Sequence, residues 1–345
     1  MAEMLKLCKN SLFIWKLFGN VLPLHPKTIS LNSVKYKTLM LEEKQFKETR
    51  PMSLEEWKEF QTEMNRLAAI KWNGYGKTLK EVGINYLGSV GQSSKMAHGL
   101  HYNFHTYCVY LASYDLCGIQ VCSYKYAENC KDNCLVESGQ ARLSDYSSKG
   151  NFVMRARILK TRLFFANREV FMRLFLHEMK RYQKKCLNEG GIFSVRINAT
   201  SDLNPELFID PDKNMNIIEA NPDIMFYDYT KVVPRIEKLY GKYKNYFMVY
   251  SYDGSPASKE YAMQYLAKGG HVAVVFATTN TNGNSLPKKW CGYDVCCGDD
   301  YDYRPIDPAP VCGLAFKITK GSVKDGHFEM PNTSFIVRLD DKDCE

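Results

Sequence analysis

The chain predicts an α/β fold: a partial (βα)6 barrel or an open, mainly parallel sheet, preceded by a helical N-terminal extension. Two observations carry this. Six short, near-continuous apolar runs follow residue 84: Thr106 to Leu111, Phe193 to Asn198, Ile224 to Tyr229, Tyr246 to Ser251, His271 to Phe276 and Val311 to Phe316. Runs of that length without polar alternation are the pattern of strands buried on both faces. Longer stretches, Arg168 to Asn188, Pro205 to Ala220, Val233 to Tyr243 and Ser258 to Lys268, lie between several of them and read as helices. Strand–helix alternation implies parallel neighbours joined by right-handed crossovers. In such folds the loops beyond the C-terminal strand ends hold the ligand.

Residues 1–83 read as the basic helical extension, 84–320 as the core domain and 321–345 as a tail. From Met4 to Leu41 there is no Asp or Glu, while Lys6, Lys9, Lys16, Lys27, Lys35 and Lys37 are basic. A helix over Leu5 to Leu22 would set Lys6, Lys9 and Lys16 on one side and Leu7, Phe13, Ile14, Leu17 and Phe18 largely on the other. Such an amphipathic basic segment, residues 4–24, suits a membrane surface, organelle targeting or docking on the main domain. Its apolar run is short and broken by Lys16, so no transmembrane segment and no secretory signal are expected. Ser53 opens a second helix, with Glu55 and Glu56 in its first turn, running to about Trp72. Gly74-Tyr-Gly-Lys77-Thr78 resembles the end of a phosphate-binding loop, but the first glycine it needs would fall at Lys71, which excludes the motif.

The net charge of +8 over 345 residues fits a nucleotide or nucleic-acid partner, and equally a set of solvated lysines. Twelve cysteines without a secretory signal point to a reducing, intracellular compartment, the cytoplasm. There they serve as free thiols or metal ligands.

The strand ends supply the candidate site. After the first strand, Cys122, Cys130 and Cys134 are spaced Cx7Cx3C in a loop, with Cys117 close enough to complete a set of four. Thiolates are soft ligands, suited to zinc or to an iron–sulfur cluster; buried thiols without metal are the bland alternative. Lys125 and Lys131 are expected to lower the thiol pKa values. After the second strand come Ser201 and Asp202, around the third strand's end Asp228, Thr230 and Lys231, and after the fourth Ser251. These polar residues reach one rim, where Asp202, Asp228 and Lys231 would carry catalysis and Ser201, Thr230 and Ser251 would contact a cofactor. Asp202 could instead cap the following helix. Near the C-terminus Asp299, Asp302 and Arg304, expected as further cofactor contacts, sit in a dense acidic stretch whose carboxylates could hold a hard cation or pair with Arg304. His98, His101 and His105 carry no metalloprotease signature and read as structural.

Several motifs occur in the order of one family. They are Asn85 to Lys95, the loop ending Cys134-Leu-Val-Glu-Ser-Gly139, Arg157-Ile-Leu-Lys160-Thr161, Arg196 to Asp202, Phe226 to Lys231, and Gly292 to Asp307. Together they resemble the phage "gene product 88" family, found mostly in phages and other mobile elements. That resemblance covers about residues 84–320 and implies a viral or mobile-element protein; the family name brings no activity with it. The architecture in turn resembles radical S-adenosylmethionine enzymes, partial barrels in which three cysteines after the first strand hold a [4Fe-4S] cluster. The resemblance implies that Cys122, Cys130 and Cys134 bind iron and that S-adenosylmethionine binds the cluster's open site. Those enzymes' usual spacing is Cx3Cx2C, so zinc stays open, as do the roles of a zinc-stabilised, replication-associated nucleic-acid-binding protein and of a host-interaction factor.

Overall fold

A computed structural model describes residues 52–122, 128–131, 134–135, 152–318, 322–324 and 326–345. The basic segment 4–24 lies outside them. Among the described residues, nine strands form the main sheet: β1 (Ser89–Val90), β2 (Phe104–Cys108), β3 (Ile192–Arg196), β4 (Met225–Thr230), β5 (Tyr246–Ser251), β6 (His271–Phe276), β7 (Lys289–Trp290), β8 (Tyr293–Cys297) and β9 (Val311–Ala315). Their order across the sheet is β1-β2-β3-β4-β5-β6-β9-β8-β7. The seven inner strands are parallel, and the two-residue edge strands β1 and β7 are antiparallel to their neighbours. All six expected strands are present and lie in sequence order across the sheet. The protein is therefore a mixed α/β fold on a mainly parallel sheet, and strand pairing among the described residues does not close that sheet into a barrel.

Seven helices of more than one turn accompany it among the described residues: α1 (Leu54–Ala69), α2 (Tyr75–Val82), α3 (Ser94–His101), α4 (Phe152–Ala166), α5 (Arg168–Asn188), α6 (Val233–Leu239) and α7 (Pro256–Ala267). Ser53 does open α1, as a capping box: its hydroxyl accepts from Glu56 N–H and the Glu56 carboxylate accepts from Ser53 N–H. The stretch Pro205 to Ala220 is not the continuous helix expected. It folds as a 3-10 turn (Pro205–Leu207), a hairpin (Ile209–Asp210 with Met215–Asn216) and a helical turn (Ile217–Ala220). The cause is turn chemistry: Asp210 Oδ1 accepts from Asp212 and Lys213 N–H, and Asn214 takes a left-handed conformation. Asn204 caps the 3-10 turn, a role the sequence left open to Asp202.

The two faces of the sheet differ. Alternation along β4 sends Phe226 into the main core, which also holds Phe171, Phe175 and Met179 of α5, Val195 of β3 and Val274 of β6. Full burial of each such side chain contributes about 1.5–3 kcal/mol. The opposite face carries Thr106, Ser194, Arg196, Tyr227 and Tyr229, then Val249, Ala273 and Cys312. Residues 298–310, between β8 and β9, lie over it: Tyr301 packs on Phe104, Tyr303 on Tyr227, and Asp302 accepts from Tyr227 Oη. The C-terminal residues pack back on the sheet edge, with Val337 bridging Phe276 and Cys344 bridging Trp290. No described helix is long and apolar enough to cross a membrane.

Candidate functional site

The C-terminal ends of β3, β4 and β5 deliver one continuous polar network. Asn198 donates to both Asp228 oxygens, through its backbone N–H at 3.3 Å and its side-chain amide at 2.5 Å. Ser201 Oγ donates to Asn198 Oδ1 at 2.7 Å. Asp202 accepts from the Arg235 guanidinium and from Lys231 N–H at 3.0 Å. Thr230 Oγ1 accepts from Val232 N–H at 3.0 Å and Arg235 Nη1 at 3.2 Å. Lys231 Nζ donates to Ser251 Oγ at 2.5 Å and lies over the Phe335 ring. The structure thus brings Ser201, Asp202, Asp228, Thr230, Lys231 and Ser251 together. Burial pushes the Asp228 carboxyl up to about 8, against the pull of its Asn198 hydrogen bonds.

The cysteine loop meets this network at Asp202, whose N–H donates to Val121 O at 2.9 Å. Cys122, Cys130 and Cys134 are each partly buried. Burial pushes the Cys122 thiol well up, and the charges of Asp202, Cys134 and Cys130 push it further. The lowering expected for this loop is therefore reversed at Cys122: desolvation and acidic neighbours dominate there. Cys130 packs with the Phe316–Phe335–Ile336 cluster and Cys134 with Met154. Cys117 stands apart, in a cluster with Phe60, Ala112 and Ile119, and its Sγ faces the carbonyls of Ser113 at 3.1 Å and Ile119 at 3.3 Å.

Whether this trio suits a metal turns on its donors. Three neighbouring cysteine sulfurs are a soft set. Two residues before Cys122, Gln120 Oε1 accepts the Cys122 N–H, while its buried Nε2 has no hydrogen-bond partner among the described residues. An unsatisfied donor there fits an anionic group held by the thiols. The described residues nevertheless contain no group of three His, Cys, Asp or Glu side chains disposed to hold a metal ion.

The acidic segment goes elsewhere. Asp302, with its side chain 1% exposed, pairs with Arg196 Nη1 at 3.0 Å, and Lys95 lies 3.8 Å away. These cations hold its carboxyl below the usual range despite burial. Asp299 pairs with Lys317 at 2.8 Å and accepts from Ala315 N–H at 2.7 Å. Arg304 is wholly buried and spends its donors on Tyr301 O, Asp302 O, Asp307 and Cys312 Sγ. Pairing with Arg304 is seen only for Asp307; Asp299 and Asp302 take cations from outside the stretch, Lys317 and Arg196.

Lys95, Arg196, Arg235, Asn198 and Lys317 are site residues the sequence did not single out. Lys95, Arg196 and Asn198 lie inside motifs already quoted, yet Asp302 stands 106 residues from Arg196 and further still from Lys95 in the chain. The one usable signal was an arginine ending an apolar strand.

The fold and rim together define an α/β protein with a polar, thiol-flanked network at the C-terminal edge of a parallel sheet. The chain belongs to the gene product 88 family, whose model matches residues 38–328. No curated protein and no solved structure matches it.

Proposed function

We propose that this protein is an enzyme whose active centre lies at the C-terminal rim, with Cys122, Cys130 and Cys134 holding an iron–sulfur cluster and S-adenosylmethionine as its cofactor. The carrying observation is that Cys130, Cys134 and Asp202 all act on the Cys122 thiol, at the ends of parallel strands. The one-direction order of β2 to β6 supports the reading, since a partial barrel arranges its strands that way. When bound, the cluster would supply one-electron chemistry.

The chain's own residues have definite parts in this reading. Asp202 fixes the cysteine loop to the sheet through its N–H and is itself held by Arg235. Lys231, aligned by Ser251, presents a cation at the rim. Buried Asp228, with its high proton affinity, is suited to hold a proton at neutral pH. The raised thiol of Cys122 stays protonated until a cation arrives, so loading releases protons.

The test is purification without oxygen, followed by absorbance spectroscopy and assay of iron, sulfide and zinc. Iron and sulfide in near-equal amounts, with a broad visible band bleached by dithionite, are expected. Zinc without iron or sulfide would overturn the enzyme reading in favour of a structural zinc site.

A further inference from the structure

A second charged locus lies away from the rim, on the outer face of α5. Residues 170–188 contain a single acid, Glu178. It is turned inward and buried, and it accepts from Tyr75 Oη, Leu87 N–H, Gly88 N–H and Tyr107 Oη. The outer face carries His177, Lys180, Arg181 and Lys184, all exposed, at the spacings of three and four that share one side of a helix. The cations flanking this stripe have acidic partners: Arg173 pairs with Glu169 at 3.0 Å and Asp212 at 2.8 Å, and Lys185 lies 3.8 Å from Glu189. Lys180, Arg181 and Lys184 pair with no carboxylate among the described residues.

Helix α2 extends this face. Its first residue, Tyr75, is anchored by its 2.5 Å hydrogen bond to Glu178. The Tyr75 ring stacks on His177, with 4.2 Å between centroids and 15° between planes, and the Arg181 guanidinium lies 5.7 Å from the Tyr75 ring centre. His177 is the exposed member of that stack. Residues 64–80 contain no acid, and Lys71, Lys77 and Lys80 are exposed there without an ion pair among the described residues. Like charges at i,i+4, such as Lys180 and Lys184, repel along a helix, and an anion laid across them relieves that repulsion.

We infer that the outer face of α5, with the start of α2, binds single-stranded nucleic acid. The phosphodiester backbone is the polyanion that a stripe of cations without carboxylate partners fits. The Tyr75–His177 stack adds what a bare lysine patch lacks. It is a flat conjugated surface, held from beneath by Glu178, on which a splayed base can stack beside the Arg181 guanidinium. A duplex keeps its bases stacked on one another and can use only the charges. This inference does not depend on the metal reading.

The probe is a fluorescein-labelled oligothymidylate, titrated with the full-length protein at several salt concentrations and read by fluorescence anisotropy. A labelled duplex of the same length is the comparison. Wild type should bind the single strand more tightly than the duplex. The triple variant Lys180→Gln, Arg181→Gln, Lys184→Gln should flatten the slope of log K against log salt by about 2, since each phosphate neutralised on a single strand contributes about 0.7. His177→Ala should weaken oligothymidylate binding about tenfold, the value of one stacked base, and leave the salt slope unchanged. All four side chains are exposed, so both variants should keep the wild-type circular dichroism. No binding by wild type, or an unchanged salt slope in the triple variant, would overturn the proposal. Equal affinity for the duplex together with full binding by His177→Ala would overturn the single-strand assignment.

Discussion

Glu178 makes the sharpest energetic prediction. It is wholly buried, and its carboxylate accepts four hydrogen bonds: Tyr75 Oη at 2.5 Å and Leu87 N–H at 2.9 Å on Oε1, Gly88 N–H at 2.7 Å and Tyr107 Oη at 2.9 Å on Oε2. Glu178→Gln preserves shape and replaces one oxygen by an NH2 that faces two donors. The tyrosine hydroxyl on that side can rotate to accept; the backbone N–H cannot. One buried N–H is therefore orphaned, and the remaining bonds lose charge assistance. An orphaned buried donor costs about 1–3 kcal/mol, and weakening the other bonds adds to it, so the loss should be about 2–4 kcal/mol. Urea unfolding followed by tryptophan fluorescence measures this as a lowered midpoint at constant slope. Hydrogen exchange at Leu87 and Gly88 should rise in step. A loss below about 1 kcal/mol would refute the claim that Glu178 anchors this segment through its charge.

Other outcomes are expected. Cys122→Ser, Cys130→Ser and Cys134→Ser should each strip metal from protein isolated without oxygen. Cys117→Ala should leave metal content unchanged, because its sulfur faces backbone carbonyls in a separate cluster. Gly254 has φ +86°, and a Cβ there would lie 2.0 Å from Ser334 O. Gly254→Ala should displace the C-terminal segment, cost about 2 kcal/mol or more and speed exchange of the Val337 amide, now bonded to Val275 O at 2.9 Å. Asp228 carries its proton up to about pH 8 in the folded protein, while the unfolded chain releases it near the ordinary Asp value of about 4. Between those limits the folded state binds more protons, so Asp228 makes stability fall as pH rises. Asp228→Asn should flatten that slope in unfolding free energies measured from pH 4 to 8, and an unchanged slope would assign the proton elsewhere.

The strands were legible because each is buried on both faces, which writes a continuous apolar run into the chain. Their parallel direction followed from the helices expected between them. Helix α4 was not legible, and its residues explain why. It is buried at Met154, Lys160, Thr161, Leu163 and Phe164, which do not form one apolar stripe, and it carries Arg155, Arg157, Lys160 and Arg162. Packing against α1, α5 and the turn at 114–117 spreads its contacts around the axis and erases the amphipathic pattern. The site was half legible for a related reason. Strand ends name the residues that share a rim, so Asp202, Asp228, Lys231 and Ser251 could be gathered from position alone. Which charge neutralises which is set by loops that cross the sheet, as residues 298–310 do in bringing Asp302 to Arg196. No spacing encodes that pair, yet the strands held a hint of it. A charge at the end or middle of a strand buried on both faces must find a partner or shift its proton. Arg196 at the end of β3 finds Asp302, while Asp228 inside β4 finds neutral donors and keeps its proton. The same rule applied to helix α4 singles out Lys160, buried against the Tyr86 ring, whose pKa desolvation lowers to about 8.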